Sequence, residues 1–215
     1  KFNEGNQIID LIKKQKHFLP IVTHDIAINL DILKKMKMNF KIIEIIRNPI
    51  DTVYSWYTRG LGTRYGNDQR IFTLLIKKNK NIFPWYNALN NYKNKNYNNC
   101  EKCIQHVLNL NRYSNINLRN NNLNKNTHII TYENLTNNPQ YELKKISNFI
   151  GTKTNKLTKK FILRENLSLK KTLFKPKIKF DYKVRIIKKL SSKKLFEELI
   201  KLNHKYEKNH YNLKV

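Results

Sequence analysis

The fold is decided by residues 41–57, which read KIIEIIRNPIDTVYSWY. Residues 40–46 are mostly apolar, with Lys41 and Glu44 the exceptions, and this pattern is typical of a parallel strand covered on both faces. The apolar run stops at Arg47. Asn48 can then cap a helix, and the proline after it suits the first helical position. The segment therefore predicts a buried strand that ends at an arginine and leads directly into a helix.

Two further strands and a series of helices are predicted around this segment. The predicted strands are PIVTH at 20–24, FKIIEII at 40–46 and THIITYE at 127–133. The predicted helices cover 3–17, 25–38, 48–59, 68–79, 84–95, 98–118 and 139–150, and a last helix follows Ser191 or Ser192 after irregular sequence over 152–180. Because helices intervene between all three strands, we predict an α/β protein. It would be a single domain over residues 1–215, with three α/β/α layers around a mostly parallel sheet.

The composition sets broad limits on function. With 215 residues, 40% of them hydrophobic, the chain can form a domain with a core, which excludes a disordered protein. A formal net charge of +28 favours an anionic partner, but codon bias of an AT-rich genome also explains an excess of lysine alongside abundant Asn, Ile, Tyr and Phe. No apolar run reaches about 18 residues, so no transmembrane span is predicted. We expect a cytoplasmic protein, with any signal or anchor before Lys1 left open.

The two cysteines, Cys100 and Cys103, form the motif CEKC. A zinc site needs about four ligands, and the nearest further candidate is His106. Haem attachment requires a histidine directly after the second cysteine, and Ile104 stands there instead. We therefore expect two semi-buried thiols on an apolar helix face, and no metal.

Polar residues stand at the carboxyl ends of all three predicted strands. They are His24, Arg47 and the pair Tyr132–Glu133. Ligands of open parallel sheets bind at the carboxyl ends of the strands, where helix N-termini point. These side chains are therefore expected to converge on one edge of the sheet.

Arg47 is the strongest candidate for an anion ligand. Its guanidinium can clamp a phosphate with two hydrogen bonds, beside a helix N-terminus that attracts anions. Ser55 lies two turns along the same helix and can donate to the same phosphate. Two structural alternatives stay open: Arg47 could pair with Asp51, and the Ser55 hydroxyl could bond back to the Asp51 carbonyl.

The ordered motifs of the chain resemble the sulfotransferase family, which uses 3′-phosphoadenosine 5′-phosphosulfate (PAPS) as donor. The strand followed by RNPIDTVYS is similar to the family's 3′-phosphate-binding segment, with Arg, Pro, Asp and Ser at matching positions. Weaker similarities are IVTHDIAINL at 21–30, IITYENLTNNPQYELKKISNFIG at 129–151 and LFEELIKLNHKYEKN at 195–209. The resemblance covers most of 18–151 and, more weakly, 190–208. It implies a P-loop-like sulfotransferase fold.

The resemblance also implies roles for individual residues. Arg47 and Ser55 would bind the 3′-phosphate of PAPS, and Tyr132 would pack near the adenosine. His24 would be the general base that accepts the proton of the acceptor hydroxyl, a role that suits the ordinary pKa of histidine. Some relatives use a carboxylate, and Asp25 adjoins His24. No metal cofactor is implied.

Two parts of the family pattern are missing. The loop that holds the 5′-phosphosulfate should lie some tens of residues before His24, and nothing in 1–23 supplies it. We therefore expect an N-terminally truncated domain that is inactive, or badly impaired, without that loop. The late Arg-Lys-Gly loop is also not evident. The lysines that could replace it are Lys170, Lys171, Lys175 and Lys177, although a solvated basic loop is the alternative.

The predicted reaction is transfer of a sulfuryl group to a hydroxyl or amine, leaving adenosine 3′,5′-bisphosphate. Acceptor contacts are expected from 58–70 and 80–98, and Trp85, Tyr86 and Tyr92 favour a glycan because aromatic rings stack on sugars. Two other functions stay open. One is a nucleotide kinase-like phosphotransferase, which does not explain the Arg-to-Ser spacing. The other is a basic nucleic-acid-binding module, although no recognised binding motif is present.

Overall fold

A computed structural model describes most of the chain. The described residues are 39–60, 97–120, 123–165 and 179–210, the backbone of 75–78 and 81–84, and the scattered positions 7, 10, 14, 20–22 and 30. The strands are β1 (Ile42–Ile46), β2 (Leu75–Lys78), β3 (Asn81–Pro84) and β4 (Thr127–Thr131). The helices are α1 (Pro49–Thr58), α2 (Asn99–Asn120), α3 (Tyr132–Asn137), α4 (Pro139–Ile150), α5 (Lys156–Arg164), α6 (Phe180–Leu190) and α7 (Lys193–His210), with one 3₁₀ turn at Leu123–Asn126.

The parallel pair β1–β4 carries the candidate site. Ile42 pairs with Thr127 and Ile46 with Thr131, so the two strands end level at their carboxyl ends. The intervening chain includes α1 and α2, as a parallel connection requires. This arrangement confirms an α/β protein.

Helices lie against both faces of this pair. On one face, the Ser114 hydroxyl of α2 donates to Glu44 of β1 at 2.5 Å. On the other, the Phe149 ring of α4 stacks on His128 of β4, with centroids 5.4 Å apart. The prediction that the strand at 40–46, now β1, is covered on both faces is wrong, because Ile45 is 56% exposed. α4 packs on β4 at that face, and β1 has one partner strand in the described part of the chain.

Besides the strand predicted over 127–133, which ends at Thr131 so that Tyr132 begins α3, three predictions of secondary structure are wrong. β2 and β3 form an antiparallel pair, with Leu75 opposite Pro84 and Lys78 opposite Asn81, where the end of a helix over 68–79 and the start of a helix over 84–95 were predicted. The two strands are separated by two residues, a spacing typical of tight hairpins. Residues 20–22 are irregular rather than a strand; Pro20 cannot donate to a ladder, and Val22 is 94% exposed, so no packing stabilises an extended segment there.

The third wrong prediction is the irregular segment over 152–180. It contains α5, which begins with a capping box in which Asn155 and Thr158 each bond the other's backbone. α6 then begins at Phe180 and was not predicted. The Ser191–Ser192 pair therefore separates two helices, α6 and α7.

The main core fixes the orientation of α1. Ile50 and Val53 of this helix are fully buried against α2, α6 and α7. The buried residues of those three helices are Cys100, Cys103, Ile104, Val107, Ile187, Leu195 and Leu199. Because one side of α1 is held by this core, its opposite side is directed outward. None of the described helices is long and apolar enough to cross a membrane.

Candidate anion-binding corner

Arg47 lies between the last residue of β1 and the cap of α1. Its side chain is half-buried, and its guanidinium carbon lies 4.8 Å from the centroid of the Tyr132 ring. The Nε atom is buried, and it has no hydrogen-bond partner among the described residues. A buried donor without an acceptor costs roughly 1–3 kcal/mol, so a ligand that supplies an acceptor here would relieve that cost. The stacking holds the guanidinium plane in place.

The next residue, Asn48, forms hydrogen bonds through its backbone N–H and through both polar atoms of its side chain. Its N–H donates to Glu133 Oε1 at 3.0 Å, and its side-chain Oδ1 accepts from the Asp51 N–H at 3.1 Å. Its Nδ2 donates to Asn203 Oδ1 at 2.8 Å. Asn48 thereby ties the end of β1 to α3 and α7.

Glu133 is the centre of this network. Its second oxygen, Oε2, accepts from the Tyr206 hydroxyl at 2.6 Å. It lies in the first turn of α3, a helix capped by the Thr131 hydroxyl. The sequence places Glu133 at the correct edge of the sheet but gives no sign that it bonds Tyr206, or that Asn48 bonds Asn203. Both partners lie on the last helix, and only the folded chain brings them to the corner.

Ser55 lies on α1, half-buried. Neither structural alternative for the Arg47–Ser55 pair is found. Asp51 forms its salt bridge with Lys183, at 2.6 Å, rather than with Arg47. No hydrogen bond of the Ser55 hydroxyl occurs with any described residue, so it does not bond back to the Asp51 carbonyl. Both donors therefore retain their capacity to bind a ligand.

The N-terminus of α1 offers fewer free N–H groups than the sequence suggests. Its first residue is a proline, and the Asp51 N–H is bonded to the Asn48 side chain. The Thr52 N–H bonds the Asn48 carbonyl, as the helix requires. An anion at this corner would therefore depend mainly on the side chains of Arg47 and Ser55.

A family model described as the sulfotransferase domain matches residues 2–200. The chain belongs to the sulfotransferase family. No curated protein and no solved structure matches it. The match includes Arg47, Tyr132 and the first part of α7, up to Ile200, and it supports sulfuryl transfer as the general activity.

The structure brings together some of the residues that the sequence predicted for this sulfotransferase, and leaves others untested. Arg47 and Tyr132 are in contact, as their positions at the ends of β1 and β4 predict. Ser55 lies on the helix that follows Arg47. The other predicted positions fall outside the described residues. They are His24, its neighbour Asp25, the aromatic residues Trp85, Tyr86 and Tyr92, and the lysines at 170, 171, 175 and 177.

The CEKC motif of the sulfotransferase is structural. Cys100 and Cys103 are buried in the core and form no disulfide, as expected for two thiols on an apolar helix face. Burial raises the pKa of the Cys100 thiol to about 12, so it is protonated at neutral pH. Burial also lowers the pKa of His106 to about 3, and its ring lies edge-on to Trp56. The described residues contain no group of three or more potential metal ligands.

Proposed function

We propose that this sulfotransferase takes its sulfuryl group from PAPS and transfers it to a hydroxyl or amine of an acceptor, with a carbohydrate hydroxyl as the preferred class. Arg47 and Ser55 bind the 3′-phosphate of the donor, and Tyr132 lies near the adenosine. A three-layer, P-loop-like fold for the single domain over residues 1–215 is part of this proposal. It is supported by the helices that lie against both faces of β1–β4.

The observation that carries the proposal is the buried Nε of Arg47, which lacks a protein partner. A phosphate at this corner would satisfy it with a charge-assisted hydrogen bond. The Glu133 network supports this role, because it holds the backbone of Asn48 beside Arg47. Preorganised donors bind an anion without a cost of reordering the site.

The proposed transfer needs one base and a set of positive contacts. His24 would take the proton of the acceptor hydroxyl while the acceptor oxygen forms a bond to sulfur. The bond from sulfur to the 5′-phosphate oxygen breaks, and adenosine 3′,5′-bisphosphate leaves. Arg47 and Ser55 would hold the nucleotide in register for in-line displacement, and they would take no part in bond breaking.

Nucleotide binding tests this proposal. We expect adenosine 3′,5′-bisphosphate to bind the protein at least about tenfold more tightly than adenosine 5′-monophosphate, because a charge-assisted contact to the 3′-phosphate is worth roughly 1.5–3 kcal/mol. Isothermal titration calorimetry with both nucleotides measures the ratio. Equal affinities would remove the 3′-phosphate assignment. Tight binding of duplex DNA that competes with both nucleotides would favour the nucleic-acid function instead.

A further inference from the structure

A cleft between α1 and α6 combines positive charge with aromatic rings. It has a volume of about 430 Å³, and the side chains that line it are Tyr54, Lys179, Tyr182 and Arg185. The cleft is shallow and largely open to solvent, so it would hold one end of a larger ligand rather than enclose it. Two rings and two cations in one cleft are suited to a ligand that carries an anionic group beside a ring of its own.

The charges that line the cleft are not neutralised by any carboxylate of the described residues. Neither Lys179 nor Arg185 forms a salt bridge with any described residue, and no carboxylate is among the described lining residues. The one acid that α1 contributes, Asp51, is paired with Lys183 at 2.6 Å. The acid of the first turn of α6, Asp181, does not line the cleft.

Lys183 lies beside the cleft, with its charge paired to Asp51. Its ammonium lies 6.0 Å from the centroid of the Tyr54 ring, on the side of α1 that faces α6. The helix pair is held by the core through Val53 and Ile187, which are both buried. The lining side chains therefore project from a rigid pair of helices, which is the arrangement that binds ligands with the least loss of entropy.

The position of the cleft relates it to the proposed donor site. Tyr54 directly precedes Ser55 on α1. At a rise of about 1.5 Å per residue, Tyr54 lies roughly 9 Å along the helix axis from Asn48, at the Arg47 corner. A ligand in the cleft would therefore lie beside the nucleotide rather than in its place.

We propose that this cleft binds the acceptor through an anionic group, a sulfate, carboxylate or phosphate, that the acceptor already carries next to a sugar or aryl ring. Lys179 and Arg185 bind the anion, and Tyr54 and Tyr182 pack on the ring. The proposal rests on the sulfotransferase function described above, and it names the substrate class: acceptors that are charged before the reaction takes place.

A matched pair of sugars tests the cleft. N-acetylglucosamine 6-sulfate and uncharged N-acetylglucosamine differ only in the anionic group, and their binding can be followed by titration with NMR detection. We expect the sulfated sugar to bind at least about fivefold more tightly. The double variant Lys179→Gln/Arg185→Gln should lose this preference. Equal binding of the two sugars to the unmutated protein would overturn the proposal.

The control removes the same charge from the same helix. Lys188 and Lys189 are exposed in the last turn of α6 and do not line the cleft. The double variant Lys188→Gln/Lys189→Gln should keep the full preference for the sulfated sugar. An equal loss in both double variants would mean that the whole basic surface acts as one field, and it would overturn a specific site.

Binding of adenosine 3′,5′-bisphosphate separates this proposal from the donor assignment. Both double variants should bind this nucleotide as the unmutated protein does. If Lys179→Gln/Arg185→Gln weakens the nucleotide as much as the sugar, the cleft belongs to the donor site and the acceptor assignment is wrong. If the unmutated protein binds the sulfated sugar but not the nucleotide, the donor assignment fails and the anion-binding cleft stands.

Discussion

Arg47 and Asn48 are adjacent in sequence and opposite in bonding. Asn48 is 3% exposed, and its N–H, Oδ1 and Nδ2 all bond to other parts of the protein. Arg47 is half-buried, and its Nε bonds to no described residue. The hydrogen bonds of Asn48 thus hold the turn, and the Nε of Arg47 is left available. In the proposed function, folding and ligand binding are divided between these two neighbouring residues.

The largest effect is expected at His24. Its proposed role as general base concerns the chemical step, and neither folding nor nucleotide binding depends on it. In a form of the protein that carries the 5′-phosphosulfate-binding loop, His24→Ala should lower turnover by roughly 10²–10⁴-fold, the usual contribution of a positioned base. The affinity for adenosine 3′,5′-bisphosphate should change little, because the 3′-phosphate is held by other residues. A steady-state assay of sulfuryl transfer, with nucleotide titration as the control, measures both. If turnover survives, the base is another group, and Asp25 is the first to replace.

Replacing Glu133 tests whether the hydrogen bonds around Asn48 stabilise the fold. Glu133→Ala leaves the Asn48 N–H and the Tyr206 hydroxyl without their acceptor. We expect a loss of about 2–3 kcal/mol in the free energy of unfolding, measured by denaturant titration. Tyr206→Phe, which removes only one of these bonds, should cost less. By contrast, Arg47→Ala should not lower stability by more than about 0.5 kcal/mol, because loss of the contact with the Tyr132 ring is offset by removal of a buried donor that lacks an acceptor. If Arg47→Ala destabilises the protein as much as Glu133→Ala does, the proposed division of roles is wrong.

A buried group that is kept neutral gives a smaller, pH-dependent effect. Burial lowers the pKa of His106 from 6.5 to about 3, so the unfolded chain binds a proton near pH 6.5 and the folded protein does not. The contribution of neutral His106 to the free energy of unfolding is complete above pH 6.5, and it declines as the pH falls towards 3. Between pH 7 and pH 5 we expect this group to account for a loss of about 2 kcal/mol. His106→Phe keeps a ring against Trp56 and should flatten the dependence. An unchanged pH profile in this variant would contradict a neutral His106.

The parts of the site that the sequence could predict are those set by local chemistry. The apolar run, the arginine that ends it and the Asn-Pro pair predict β1, Arg47 and the start of α1, and all three are found. The end of α4 at Gly151 is found as well, with a left-handed φ of 82° that glycine adopts without strain. Each of these features depends on residues within one or two turns of one another.

The parts that the sequence could not predict depend on distant residues. Asn48 and its partner Asn203 are 155 positions apart, and Tyr206 and Glu133 are 73 apart. No local pattern identifies such a pair. The hairpin at 75–84 was missed for another reason: four-residue strands are too short to show a clear alternation. α6 was missed because its lysines resemble those of a solvated loop.

The most direct test of the division between Arg47 and Asn48 is the nucleotide preference of two arginine variants. Arg59 is the matched control, since it is an exposed arginine at the opposite end of α1. Arg47→Ala should lower the ratio of affinities for adenosine 3′,5′-bisphosphate and adenosine 5′-monophosphate by at least about tenfold, because it removes a contact worth roughly 1.5–3 kcal/mol. Arg59→Ala should leave the ratio unchanged. A ratio that is the same in both variants and in the unmutated protein would contradict the account, since Arg47 would then make no contact with the 3′-phosphate.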